Sequence, residues 1–338
     1  MRTVEELEER LSRPRPELVG DIGKINGDIV VIGAAGKLGP SLVRLATRAI
    51  SEAGSSDRVI AVSRFSTPGA AATIRDAGAE AVTADITDEA QLRTLPDAPN
   101  VIYLVGAKFG TSGNEPATWA TNAYLPGRVA ERYRNSRIVA LSTGNVYPLW
   151  PTTSTGPTED DPVGPVGEYA MSCLGRERVL SYFSERHDTP MALLRLNYAT
   201  ELRYGVLVDI ARTVAAGHPV DLTTGHANVV WQGYANEVTI RSLLLADVPP
   251  FVLNVTGPEM ITVRAVAEAF GRQFGCQVAF TGEEAPTALL SDASECHRRF
   301  GRPELMVPEL IKDIAGWVAD GRPLLDKPTK FQNRDGRF

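Results

Sequence analysis

The chain has 338 residues, 43% of them apolar, with a formal net charge of −6 and no block of basic residues. That composition supplies core for one large or two closely joined domains, and it argues against nucleic acid and membrane as partners. No apolar run reaches membrane-spanning length and the first residues lack a signal peptide's apolar segment, so with Cys173, Cys276 and Cys296 in no metal-binding spacing a reducing cytoplasm is expected. His187, His218, His226 and His297 are scattered, and no metal site is expected.

In chain order, Val4, Leu7 and Leu11 line one face of an acidic N-terminal helix that Arg13-Pro-Arg-Pro16 should end. Residues 1–26 are therefore expected to form a helical extension that packs on the domain or on a second subunit. In Asp28-Ile-Val-Val-Ile-Gly33 a β-branched run stops at glycine. From Leu38 apolar residues recur at Leu42, Leu45, Ala46 and Ala49, which is helical spacing. A strand, a glycine turn and a helix in this order aim unpaired N–H groups and the positive dipole end at a ligand above the strand, which suits a pyrophosphate. Gly33, Gly36, Lys37, Leu38 and Gly39 are the candidate contacts.

Arg58 to Arg64 reads as a second strand. Its end carries Ser63 and Arg64 where an acid would bind ribose hydroxyls, and a small residue followed by a cation suits a 2′-phosphate, hence NADP over NAD. Ala79 to Ile86 is a third strand, with Asp85 and the Ile86 backbone as candidates for the adenine edge and a helix capped near Thr87. Asn100 to Gly106 is the fourth, placing Val105, Gly106 and Lys108 beside the dinucleotide. Strands alternating with helices predict an α/β fold, a doubly wound parallel sheet covered on both faces, with ligands at the strands' carboxyl ends.

A fifth strand from Ser136 ends in Ser142-Thr143-Gly-Asn145-Val-Tyr147, and an acidic Pro-rich loop leads to Glu168-Tyr169-Ala-Met-Ser172-Cys173. With the glycine turn, Asp85-Ile86, Asn122, Glu159 to Pro162 and Glu177, this pattern resembles the extended short-chain dehydrogenase/reductase family, the NAD(P)-dependent epimerases and dehydratases. The resemblance implies a Rossmann domain of residues 27–195 plus about 228–256, with 196–227 and 257–338 as an interleaved substrate-binding portion and tail. Thr143 would bind the substrate oxygen and Tyr169 would exchange its proton as general acid or base. Asn122 would lie in a helix from about 116 to 133, whose ladder Pro126-Gly127 should interrupt. The family also pairs this helix with the one at about 168–187 across a homodimer interface.

The departure from the family is Cys173, standing where a lysine is expected four residues after the tyrosine. A tyrosine with a pKa of about 10 is ionised in only about one molecule in 10³ at pH 7, and a thiol offers no cation to change that. Lys108 stands where the UDP-galactose epimerase branch also has a lysine. Arg176 shares the helical face but sits about 10 Å along the axis. Cys173 itself reads as a small buried packing residue, with a nucleophile as the alternative.

After a sixth strand ending at Arg195, Asn197 stands near the family's asparagine and Arg203 precedes an apolar helix. Asn228 to Gly233 falls where nucleotide-sugar enzymes carry an Arg-Asp pair, so a substrate without a nucleotide diphosphate is expected, with Lys108, Asn145, Asn197, Arg203, Trp231 and Gln232 as contacts. Phe251 to Gly257 is the last strand, Thr262 caps a helix, and Pro308 to Ala319 is the final one. The tail from Lys327 to Phe338 could cover the cleft, clasp a second subunit or lie loose. The expected function is an NADP-dependent oxidoreductase, epimerase or dehydratase acting on a small sugar-like molecule. An NADP-binding sensor or partner protein, or a non-redox enzyme on the same scaffold, is the alternative.

Overall fold

The computed structural model describes residues 1–110, 112–327 and 329–337. Seven strands form its main sheet: β1 Ile29–Ile32, β2 Val59–Ser63, β3 Glu80–Thr83, β4 Asn100–Tyr103, β5 Arg137–Thr143, β6 Met191–Leu196 and β7 Phe251–Val255. Their order is β7-β6-β5-β4-β1-β2-β3 and every pairing is parallel. The chain winds outward in both directions from β1, so the switch point, where such sheets open a crevice, lies between β1 and β4. This is the Rossmann-type architecture.

The unbroken apolar strands follow from burial on both faces. Val30, Ile32, Ile60, Val62, Val101 and Tyr103 point to one side, and Val31, Val59, Ala61, Ile102 and Val139 to the other. Between the strands run α3 Gly39–Glu52, α4 Ala70–Asp76, α5 Glu89–Arg93, α6 Glu115–Trp119 with α7 Leu125–Arg132, α8 Gly167–His187, and then α9 Val206–Ala215 with α10 Gln232–Arg241. Helix α5 is capped by Asp88, whose carboxylate accepts from the N–H groups of Ala90 and Gln91, rather than by Thr87.

The N-terminal extension is two helices, α1 Val4–Leu11 and α2 Pro16–Ile25. Pro16 ends nothing beyond the link; it opens α2, where its missing N–H has no partner to lose. Leu7, Leu11, Leu18, Ile22 and Ile25 are buried in the chain's own core, while Glu9 pairs with Arg48 at 2.5 Å and Glu8 with Arg203 at 2.8 Å.

Between α6 and α7 the chain passes through a π-helical stretch, Ala120–Tyr124. Pro126 has no N–H for the carbonyl of Asn122, which instead accepts from Arg176 Nε at 3.1 Å. The interruption predicted from Pro126-Gly127 is thus displaced one turn toward the N-terminus.

Helix α9 packs against α11 Val263–Phe274 and α13 Val307–Ala319, and α12 Ser294–Phe300 lies against β7. The described part of the tail is held by its own chain. Thr329 donates to Asp209 at 2.6 Å, Phe331 is buried, the Gln332 carbonyl accepts from Thr224 at 3.0 Å, and Gly336 lies against Gly167. Pro328 and Phe338 lie outside the described residues. Among the described residues no helix is long and apolar enough to cross a membrane.

Candidate active site

At the carboxyl ends of β1, β2 and β4 a cavity of about 350 Å³ is lined by Gly33, Gly36, Ser63, Arg64, Asp85, Ile86, Val105 and Gly106. The turn that forms its floor admits no larger residue at two points. Gly33 has φ +88° and a Cβ there would meet Val105 Cγ2 at 2.9 Å; a Cβ on Gly39 would sit 2.1 Å from the Ala34 carbonyl oxygen. Gly36 and Gly106 leave backbone open to the cavity. This cradle at the start of α3 fits a dinucleotide phosphate. Asp85 uses one oxygen to hold Thr87, at 3.0 Å to its N–H and 2.7 Å to its hydroxyl, and Arg64 adds a positive charge beside it.

A second cavity, of about 210 Å³, opens beyond β5 and β6. It brings together Lys37, Leu38, Lys108, Thr143, Asn145, Tyr169 and Asn197, with Tyr198, Tyr204 and Thr329. Thr143 closes β5 and is fixed by Asn145: its hydroxyl donates to Asn145 Oδ1 at 3.1 Å and accepts from the Asn145 N–H at 3.2 Å. Tyr169, on the first turn of α8, lines this cavity together with Thr143 and packs against the cluster of Val146, Tyr147 and Cys173. Burial pushes its phenol well above the ordinary tyrosine value, and raises the Cys173 thiol too.

Beneath Tyr169, Asn122 locks the loop after β4: Oδ1 accepts from the Ala107 N–H at 2.8 Å, and Nδ2 donates to the Ala107 carbonyl at 2.9 Å and to Ser172 Oγ at 3.0 Å. Arg176 joins this network through Nη2 to Asn122 Oδ1 at 3.0 Å and Nη1 to the Leu141 carbonyl at 2.5 Å. A Cβ on Gly106 would stand 2.9 Å from Arg176 Nη2, so the guanidinium backs directly onto the wall of the first cavity. Further along α8, Glu177 is buried between Ser142 Oγ at 2.5 Å and Arg195 at 2.8 Å, and Arg195 donates to the Tyr147 hydroxyl at 2.7 Å.

Residues 29–223 match the NAD dependent epimerase/dehydratase family. The chain belongs to that family. None of the curated proteins matches it significantly. Among solved structures, it resembles a UDP-glucuronic acid 4-epimerase from Bacillus cereus in complex with UDP-glucuronic acid and NAD (15% identity, TM-score 0.70, covering 87% of this chain and 99% of the other). It also resembles MoeE5 in complex with UDP-glucose and NAD (18%, 0.68, 87% and 99%) and the UDP-N-acetylglucosamine 4-epimerase of Bacillus cereus (18%, 0.66, 86% and 98%).

The expectation of a substrate without a nucleotide diphosphate is corrected by these likenesses, since such structures are those of nucleotide-sugar enzymes. Its premise fails physically as well. The segment Asn228 to Gly233 lies in the core of this epimerase/dehydratase-family chain, so its lack of arginine carries no information about a ligand. Trp231 is fully buried with Nε1 on Glu304 at 2.9 Å, and Gln232, 2% exposed, donates to Ser41 Oγ at 3.0 Å. Both are packing residues rather than substrate contacts. Arg203 is likewise withdrawn from the cavity wall, bonded to Glu8 at 2.8 Å and Glu201 at 3.2 Å.

Two candidate cofactor contacts in the turn, Lys37 and Leu38, line the second cavity instead of the first. Sequence reasoning passed over Tyr198, Tyr204 and Thr329 as wall residues, because nothing in a connecting segment or a tail signals where the chain will return. Tyr198 carries a local trace only in the fold: φ +45°, uncommon for a bulky residue, turns its ring toward the cavity.

Proposed function

We propose that the protein is an epimerase or dehydratase that uses NADP in preference to NAD and acts on a hydroxyl-bearing carbon of a sugar, nucleotide-linked sugars first among the candidates. The observation that carries this reading is the placing of Thr143 and Tyr169 on one cavity that adjoins the glycine-turn cleft across Val105 to Lys108. Thr143 and Asn145 orient the substrate oxygen. Tyr169 moves its proton, and Lys108 and Arg176 supply the positive charge that favours its ionised form. A bound nicotinamide supplies hydride acceptance or donation. Burial by Tyr198, Tyr204 and Thr329 keeps water from the reacting carbon.

Arg64, with no acid ending β2, supports the NADP preference, because a guanidinium pairs two N–H groups with a 2′-phosphate. A homodimer is supported by apolar surface on the adjoining helices: Trp119, Tyr124, Met171 and Tyr182 are exposed, the last two on α8.

A dinucleotide-binding protein without turnover is the second reading, favoured by the buried Cys173 packed beside Tyr169 where a lysine is expected. The test is incubation of the NADP- or NAD-loaded protein with UDP-glucose, UDP-glucuronate, UDP-N-acetylglucosamine and free sugars, read by absorbance at 340 nm and by NMR of the sugar. Stereochemical inversion, water loss or a changed absorbance supports the enzyme, and dinucleotide binding with an unchanged panel supports the second reading.

A further inference from the structure

We propose that the C-terminal tail is a positioning element of the active site: it ties the wall of the second cavity at Arg203 and Asp209 to Gly167 at the head of α8, and so holds Tyr169 in place. The proposal rests on reading that cavity as the substrate site.

The tail begins on one wall of the cavity and ends on another. The Leu325 N–H donates to the Arg203 carbonyl at 3.1 Å, and Thr329 donates to Asp209 Oδ2 through its backbone N–H at 2.9 Å and its hydroxyl at 2.6 Å. Arg203 and Asp209 flank Tyr204, Gly205 and Val206, which line the cavity, and Thr329 lines it with them. The fully buried Phe331 then pins the chain to the core. Arg334 carries it further, with Nη1 on the Thr287 carbonyl at 2.7 Å and Nη2 on the Thr287 hydroxyl at 2.6 Å.

At Gly336 the tail meets the head of α8, backbone to backbone. A Cβ on Gly336 would sit 2.2 Å from the Val166 carbonyl oxygen, and one on Gly167 would sit 2.6 Å from the Gly336 carbonyl oxygen. Both glycines have positive φ, +74° and +82°, so neither position takes a side chain unless one of the two segments moves. Tyr169 stands two residues beyond this crossing. Val166, at the N-cap of α8, gives the first turn no side-chain hydrogen bond, and Trp119 Nε1 tethers Glu168 at 2.6 Å in an exposed bond. The packed backbone of the tail adds a buried restraint that no cap supplies there. One turn further on, Cys173 is 1% exposed against Val146 and Tyr147, with Tyr169 packed on the same cluster. Loosening the crossing lifts this turn, and a reacting group misplaced by about 1 Å costs about 10²-fold in rate.

The experiment is alkylation of the full-length protein with iodoacetamide in the presence of NADPH, mapped cysteine by cysteine with mass spectrometry, for the wild type, Gly336→Val and Arg334→Ala. Cys276 is exposed and reacts in all three; Cys296, buried in α12, reports general loosening, and Cys173 reports the head of α8. Both variants are expected to raise the Cys173 rate by about tenfold or more and to leave the Cys296 rate unchanged. On any sugar that is turned over they should lower kcat by about tenfold or more and change KM by less than about threefold. Cys173 as protected in both variants as in the wild type, Cys173 and Cys296 rising together, or Cys173 exposed at unchanged kcat overturns the positioning role. A protein that binds NADPH and turns over no sugar overturns the reading of the cavity instead, while the Cys173 rate still decides whether the tail holds the head of α8.

Discussion

Cys173 lies one helical turn along α8 from Tyr169, which packs against the buried cluster that Cys173 forms with Val146 and Tyr147. A neutral partner of this kind gives the phenolate none of the stabilisation that an ammonium at the same place would. Positive charge near Tyr169 comes instead from Arg176, anchored on Asn122 and Leu141, and from Lys108 across the cavity.

Replacing Cys173 by lysine should therefore move the acid limb of the pH profile for substrate oxidation. An added cation lowers the phenol pKa, so the base form persists to lower pH, and the limb should shift down by about 1 to 3 units. Cys173→Ala removes the thiol without adding charge and should leave the limb close to its wild-type position. The measurement is kcat/KM against pH for the three proteins; a limb that does not move in Cys173→Lys would assign the essential base to another group.

The pair Glu177 and Arg195 supports β5 from below, tying Ser142, the neighbour of Thr143, to Tyr147. Both side chains are buried, at 4% and 8% exposure, so removing one leaves an uncompensated charge. Glu177→Ala should cost roughly 3 to 5 kcal/mol in urea unfolding. Replacing both by apolar residues, as in Glu177→Leu with Arg195→Met, should recover part of that loss.

Arg64 sets the dinucleotide preference in this account. Arg64→Ala should weaken NADPH by about tenfold, or about 1.4 kcal/mol, and change NADH little. Fluorescence titration with the two reduced dinucleotides checks this, and an equal effect on both would remove Arg64 from the 2′-phosphate.

The exposed aromatic surface of the π-helical stretch and α8 predicts association. Tyr124, 65% exposed, and Tyr182, 54% exposed, should lie at a two-fold interface. Light scattering should give a dimer at micromolar concentration, and Tyr124→Asp with Tyr182→Asp should give a monomer. A wild-type monomer would contradict the assignment.

The sheet and its glycine turn were legible because local rules dominate there. β-Branched runs buried on both faces, and a glycine with φ +88° before an amphipathic helix, permit few alternatives. Thr143 and Tyr169 came from family resemblance, and both line the second cavity. What was misread depended on distant packing. Trp231 and Gln232 looked available for a ligand, but Glu304 and Ser41 of α3 hold them in the core. Arg176 looked too far along its helix, but the carbonyl freed by Pro126 gives it a docking point beside Gly106. Lys37 was assigned with its backbone, although a turn can send backbone and side chain to opposite sides.

The most direct test of the central claim compares the wild type with Tyr169→Phe, both loaded with NADP, on any sugar that the panel shows to be turned over. Chemistry is expected in the wild type, seen at 340 nm or by NMR of the sugar, with a loss of about 10² to 10⁴ in rate in the variant and dinucleotide affinity unchanged. Turnover unaffected by Tyr169→Phe, or a dinucleotide-bound wild type that leaves every sugar unaltered, would contradict it.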